Sequence, residues 1–94
     1  MIQVVAKALV KENQIEEYKA VASELIDMTR MEKGCLSYEL FQDRDDPRIM
    51  SFIERWQDME TLEEHFQTEH FKRLVPQLKD LRISSELNIY ELVK

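Results

Sequence analysis

Glycine is almost absent from this sequence. The 94 residues include one, Gly34, together with two prolines and a single cysteine, Cys35. Walker and dinucleotide-binding loops need several glycines so that backbone can approach phosphate, and they are excluded. One thiol excludes an internal disulfide and any multi-thiolate zinc or iron–sulfur site. No apolar run approaches the roughly 20 residues of a membrane span. The opening MIQVVAKALV has no basic flank ahead of an apolar stretch, so it does not read as a signal peptide. Positive charge is also scarce: 13 Lys and Arg face 19 Asp and Glu, for a formal net charge of −6. That balance lacks the basic footprint of a nucleic-acid binder. What is present is a chain 44% hydrophobic and 34% charged. It is expected to form one small, acidic, cytoplasmic domain over residues 1–94, with no nucleic-acid or membrane partner.

With so few breakers, loops must be short and most residues must lie in regular elements. Ile2 to Val10 alternates, with Ile2, Val4, Ala6, Ala8 and Val10 on one face, and predicts a strand. Asn13 with Glu16 reads as a capping box opening a helix to Lys33. Ile15, Tyr18, Val21, Ala22, Leu25, Ile26 and Met28 form its apolar stripe. Gly34 is placed at the left-handed position that ends the helix. Cys35–Gln42 and Arg48–Trp56 read as a hairpin across the turn Arg44-Asp45-Asp46-Pro47, with Leu36, Tyr38 and Leu40 on one side of the first strand. Asp58 caps a helix to about Gln67, Thr68 re-caps a segment to Leu81, and Ser85–Val93 is the last strand. Pro76 is expected to kink the second segment or mark a new start.

The order β-α-β-β-α-β is the split pattern of a ferredoxin-like α+β fold, a four-stranded antiparallel sheet with helices on one face. The other face is informative. Strand one has apolar residues in both alternating sets, and strand three has Ile49 and Ile53 opposite Met50, Phe52 and Trp56. A two-layer domain leaves one set mostly polar. A second cover is therefore expected, from a homodimer joined sheet to sheet. The alternative is scattered apolar exposure on a monomer.

The chain has two histidines, the side-chain type whose unperturbed pKa lies nearest neutrality. His65 falls on or beside the apolar stripe of its helical segment. His70 follows five residues later, a step of about 140° along a helix, which would make the two rings diverge. A metal site is therefore not expected, and a capping or core hydrogen bond is the structural alternative for each ring. Glu54 shares a strand face with Phe52 and Trp56 while Arg55 points away. A carboxylate there is either an edge or ion-paired group, or the acid of a pocket whose pKa burial raises, beside an indole that can stack on a flat ligand. Tyr38 would add a phenol to the same cavity. Cys35 reads as inert packing, and the acidic clusters as solvated surface.

The run Phe52-Ile53-Glu54-Arg55-Trp56, followed by Leu62, His65, Thr68 and His70-Phe71, resembles the antibiotic biosynthesis monooxygenase family, its quinol monooxygenase-like members most of all. The resemblance extends over essentially the whole chain, including Gly34-Cys35-Leu36-Ser37-Tyr38. It implies a dimeric α+β barrel with a pocket between sheet and helices in each protomer, and for several members oxidation of phenols or quinols by O2 with no metal or flavin. The haem-degrading branch matches poorly. Strand one offers Ala6, Lys7 and Ala8 where that branch has asparagine, His65 stands at its tryptophan position, and Phe71-Lys72 is followed by Val75.

The expected function is a cofactor-independent monooxygenase that oxidises a small aromatic quinol or polyphenol. His65 would be the base, because an imidazole near neutral pKa suits proton abstraction. Glu54 would orient the substrate hydroxyl or the imidazole, and Trp56, Tyr38, Phe71 and His70 would contact substrate. An isomerase or tautomerase of a small oxygen-rich metabolite, or a non-enzymatic ligand-binding dimer, are the alternatives.

Overall fold

Strand alternation and two helical stripes build one sheet with a single helical layer. The computed structural model describes all of residues 1–94. The elements are β1 (Ile2–Val10), a short 3-10 turn (Glu12–Gln14), α1 (Ile15–Thr29), β2 (Cys35–Gln42), β3 (Ile49–Trp56), α2 (Met59–Phe66), α3 (Glu69–Asp80) and β4 (Arg82–Glu91). The sheet order is β2-β3-β1-β4 and every neighbouring pair is antiparallel. This is the ferredoxin-like α+β arrangement. No helix is long and apolar enough to cross a membrane.

One face of the sheet supplies Ile2, Val4, Ala8 and Val10 from β1, Met50, Phe52 and Trp56 from β3, and Tyr38 from β2. Tyr18, Val21, Ala22 and Leu25 of α1, Leu62 of α2, and Leu74 and Leu78 of α3 pack on them. The opposite face carries Val5, Leu9, Ile49 and Ile53, all half-buried, with Phe41 exposed. Strand β4 lies at the sheet edge, beyond the helical cover. Its Leu87 and Ile89 pair with the inward Ala6 and Val4, yet remain 52% and 41% exposed.

Helix α1 departs from expectation at both ends. Asn13 lies in the 3-10 turn, and the N-cap Gln14 makes no side-chain capping bond. The predicted Asn13–Glu16 box does not form, because the 3-10 turn already folds the chain there. The helix stops at Thr29 rather than Lys33, and tight bonds from Met31 N–H to the Met28 carbonyl and from Glu32 N–H to the Thr29 carbonyl wind it down.

Gly34 stands beyond that turn with φ +87°, the only positive φ in the chain, and leads into β2 rather than capping α1. A bulge between Cys35 and Ser37 shifts the register of β2, so Leu36 is exposed instead of sharing the Tyr38 side. Strand β3 begins at Ile49, one residue later than read. Strand β4 begins at Arg82, paired with Val10, and ends at Glu91, an offset of three residues at its start and two at its end. The chain reverses directly after Leu81, whose carbonyl accepts from Lys11 N–H, and leaves no linker. Helix α3 continues through Pro76 without interruption.

The two predicted caps of the second helical region form. Asp58 accepts from Thr61 N–H at 2.8 Å and Thr61 Oγ1 accepts from Asp58 N–H at 3.4 Å, a reciprocal box that starts α2. Thr68 accepts from Phe71 N–H at 3.2 Å and starts α3.

Candidate functional site

A cavity of about 210 Å³ lies between the sheet and the helices. Its walls are mostly apolar, with Phe52 from β3, Phe66 from α2, and Phe71, Val75 and Leu78 from α3. Glu54, His65 and Tyr38 supply polar groups at one part of this wall.

Glu54 is placed by strand alternation. It follows Phe52 by two residues, faces inward with it, and is 5% exposed. Its Oε1 accepts the Trp56 indole N–H at 3.0 Å. Burial pushes the carboxyl up to about 7; the indole hydrogen bond opposes that shift and the Glu32 charge adds to it. Glu54 therefore titrates near neutrality. Tyr38, its register partner on β2, is buried and its phenol is driven well above the ordinary range, first by burial and then by the Glu54 and Glu32 charges. It stays a neutral donor.

His65 is 1% exposed and sits in an aromatic box. Ring centroids lie 4.7 Å away for Trp56, 5.0 Å for Phe71 and 5.4 Å for Tyr38. Its Nδ1 lies 2.7 Å from Glu32 Oε2. A carboxylate there selects the tautomer with hydrogen on Nδ1 and leaves Nε2, which has no protein hydrogen-bond partner, as the free acceptor of a cavity-lining ring. Burial lowers the His65 pKa, while the hydrogen bond and charge of Glu32 partly restore it. The ring is neutral at neutral pH, in the form able to take a proton.

His70 does not diverge from His65. Its Nε2 lies 2.6 Å from the same Glu32 Oε2, and the two ring centroids are 6.3 Å apart. The break at Gln67 and Thr68 redirects the chain between α2 and α3, so the continuous-helix rotation does not apply. His70 is not on the cavity wall, and neither is Trp56. Trp56 is fully buried behind the wall, where it holds Glu54 and packs against His65. Tyr38, Glu54, His65 and Phe71 are brought together on the cavity wall; Trp56 and His70 stand one layer back.

Glu32 is the residue that local sequence patterns miss. It belongs to no helix stripe, strand face or motif, and its partners lie 33 and 38 positions away. Glu32, His65 and His70 bring one carboxylate oxygen and two ring nitrogens within 4.8 Å of one another, a donor set suited to a transition metal. The hydrogen-bonded arrangement suits this cavity better. Both ring nitrogens stand at hydrogen-bond distance from one carboxylate oxygen, 2.7 and 2.6 Å, closer than the roughly 3.3 Å between two ligands that each lie about 2 Å from a tetrahedral metal. Cys35 is half-buried, and its thiol is pushed up to about 11 by burial and by the Glu32 and Glu54 charges, which leaves it unreactive at neutral pH.

The sequence model of a family described as antibiotic biosynthesis monooxygenase matches residues 1–77. An uncharacterized protein of Synechocystis sp., sll1783, is 32% identical over 99% of the chain. The chain spans 64% of that relative's length. A crystal structure described as an antibiotic biosynthesis monooxygenase is 36% identical, covers the whole of both chains and superposes with a TM-score of 0.94. A conserved protein from Methanosarcina mazei Go1 is also 36% identical, over 95% of this chain and 89% of its own, with a TM-score of 0.92.

Proposed function

This chain belongs to the antibiotic biosynthesis monooxygenase family, and from that premise we propose that it oxidises a small aromatic quinol or polyphenol with O2, without a bound cofactor. The observation that carries this reading is the state of His65: a buried, neutral imidazole whose Nδ1 is held by Glu32 and whose free Nε2 belongs to a ring lining an aromatic cavity.

A quinol needs little from its enzyme. Loss of a phenolic proton makes the ring a better one-electron donor to O2, and the protein must orient the ring, take the proton and exclude water. The balance is quinol plus O2 giving a hydroxyquinone plus water. One oxygen atom enters the ring, the other leaves as water, and all four electrons come from the substrate. His65 Nε2 takes the phenolic proton. Glu54, neutral or ionised around pH 7, bonds a substrate hydroxyl. Phe71 and Tyr38 form walls. Trp56 positions Glu54 through its indole N–H, and His70 steadies Glu32.

A homodimer joined through the sheet is part of this proposal. Val5, Leu9, Ile49, Ile53 and Phe41 on the face away from the helices, with Leu87 and Ile89 on the uncovered stretch of β4, support it. Sedimentation at micromolar concentration should give twice the chain mass.

The decisive test is dioxygen uptake against a panel of quinols, with and without chelator. Uptake insensitive to chelator and reduced ~10²-fold or more in His65→Ala is expected. Turnover without oxygen consumption would indicate proton-transfer chemistry such as isomerisation. Unchanged uptake in His65→Ala would remove His65 as the base.

A further inference from the structure

The cavity has a second polar end. Arg82, the first residue of β4, lines it and is half-buried. Three other arginines have protein acceptors: Arg30 donates to the Tyr38 carbonyl, Arg48 to Asp46, and Arg73 to Glu24 and Glu69. No carboxylate forms an ion pair with Arg82. Its polar neighbour is the buried phenol of Tyr18, a neutral group whose deprotonation burial opposes.

Register places this guanidinium far from the acid–base end. Arg82 is opposite Val10 and Glu54 opposite Val4, six residues along β1 and so about 20 Å between backbones at the rise of a strand. Both residues line the cavity. Between them the wall is mostly apolar, with Ala6, Ala8, Phe52, Phe71 and Leu78, and its one inward polar residue is the uncharged Ser85 opposite Ala8. The remaining charged wall residues, Lys7 and Glu86, are register partners of opposite sign, and alternation turns their side chains to the other face of the sheet. The cavity is thus a slot with His65 and Glu54 at one end, an aromatic middle, and one cation lacking a counter-ion at the other.

A guanidinium carries five N–H donors in a planar fork and is never deprotonated in proteins. Half-buried beside apolar walls, it lacks the full hydration that stabilises an exposed arginine. An anionic oxygen group supplies both the missing charge and paired acceptors. We propose that the ligand of this cavity is an aromatic compound bearing an anionic oxygen group, a carboxylate or a phosphate, which Arg82 binds at the end remote from His65. The inference rests on the reading of this cavity as the substrate site, and it narrows the substrate from quinols in general to acidic ones.

Calorimetric binding tests it without turnover. The probes are hydroxyaryl alkanoic acids of increasing chain length, their methyl esters, and the matching phosphonates. Wild-type protein should bind the acids or the phosphonates about 10- to 100-fold more tightly than the esters, the worth of a charge-assisted hydrogen bond. The preferred anion identifies the group. Arg82→Met should abolish the preference while leaving ester affinity unchanged, and Arg82→Lys should keep part of it. Arg82→Gln replaces Arg82→Met if thermal melts show that variant unfolded. Equal affinity for anion and ester, a preference that survives loss of the guanidinium, or no binding of any probe would each overturn the proposal. An intact acid preference without oxygen uptake would instead sink the monooxygenase reading alone.

Discussion

His65 Nδ1 and Glu32 Oε2 lie 2.7 Å apart although 33 positions separate them in the chain. The same oxygen receives His70 Nε2, so one carboxylate sets the orientation of two imidazoles. For His65 it does two further things: it assigns the ring proton to Nδ1, and it raises a basicity that burial would otherwise depress.

Glu32→Gln should expose that dependence. The amide can offer an N–H where the carboxylate accepted one, which favours the unproductive tautomer. A fall in kcat of roughly 10²-fold or more is expected, by analogy with loss of the orienting carboxylate in a catalytic triad. Removing the carboxylate charge also lowers the His65 pKa further, so the acid limb of the rate profile should move to lower pH. A variant that only lost stability would keep the wild-type pH profile, and that result would deny Glu32 a positioning role.

Glu54 makes stability depend on pH. Its folded-state value of about 7 lies above the ordinary 4.5. Its contribution is therefore complete below pH 4.5 and is lost as pH rises through 7. The loss is on the order of 3 kcal/mol. Glu54→Gln retains an acceptor for the Trp56 indole but cannot ionise. Denaturant unfolding from pH 4.5 to 8.5 should show wild type losing ground to the variant as pH rises. Taking the difference removes the opposite trend of His65, whose depressed value weakens the fold on acidification. A flat difference would mean that Glu54 is not held in a dry site.

Gly34→Ala should be severely destabilising for two independent reasons. The residue sits at φ +87°, and a Cβ there would lie 2.5 Å from Thr61 Cγ2. Thr61 is half of the box that starts α2, the helix that carries His65. A loss of about 2 kcal/mol or more is expected, lowering Tm by roughly 8 °C or more for a domain of this size. A melt within a degree of wild type would contradict this packing.

Thr68→Ala should cost about 1 kcal/mol, the worth of a helix N-cap. Thr68 Oγ1 both accepts from Phe71 N–H and donates to the His65 carbonyl at 2.8 Å. The same hydroxyl thus fixes the joint between α2 and α3 that turns His70 back toward Glu32. NMR of the imidazole protons should show His70 losing its strong hydrogen bond more than His65 does. Equal persistence of both would place the control of this joint elsewhere.

Alternation made β1 and β3 legible residue by residue, and it put Glu54 on one face with Phe52 and Trp56. Apolar stripes and the Asp58 and Thr68 caps located α2 and α3. The failures share a cause. Asn13–Glu16 has the composition of a box that a 3-10 turn pre-empts, and Leu36 is displaced by a bulge whose position depends on how β2 pairs with β3. The divergence expected of His65 and His70 carried the rotation of one helix across the Thr68 break, although that break was itself legible and redirects the chain.

Local periodicity is a property of neighbouring residues, so the chain alone specified its strands, its helices and, outside the β2 bulge, the faces on which their apolar residues lie. It also placed the single glycine where no other residue fits. Which polar groups meet was decided only when those elements packed. Glu32 reaches His65 and His70 because α1 winds down early and α2 turns into α3, and Arg82 reaches the cavity because β4 starts directly at the end of α3. Hydrogen-bond partners so far apart in sequence leave no spacing to read, since their distance is set by the packing of whole elements against one another.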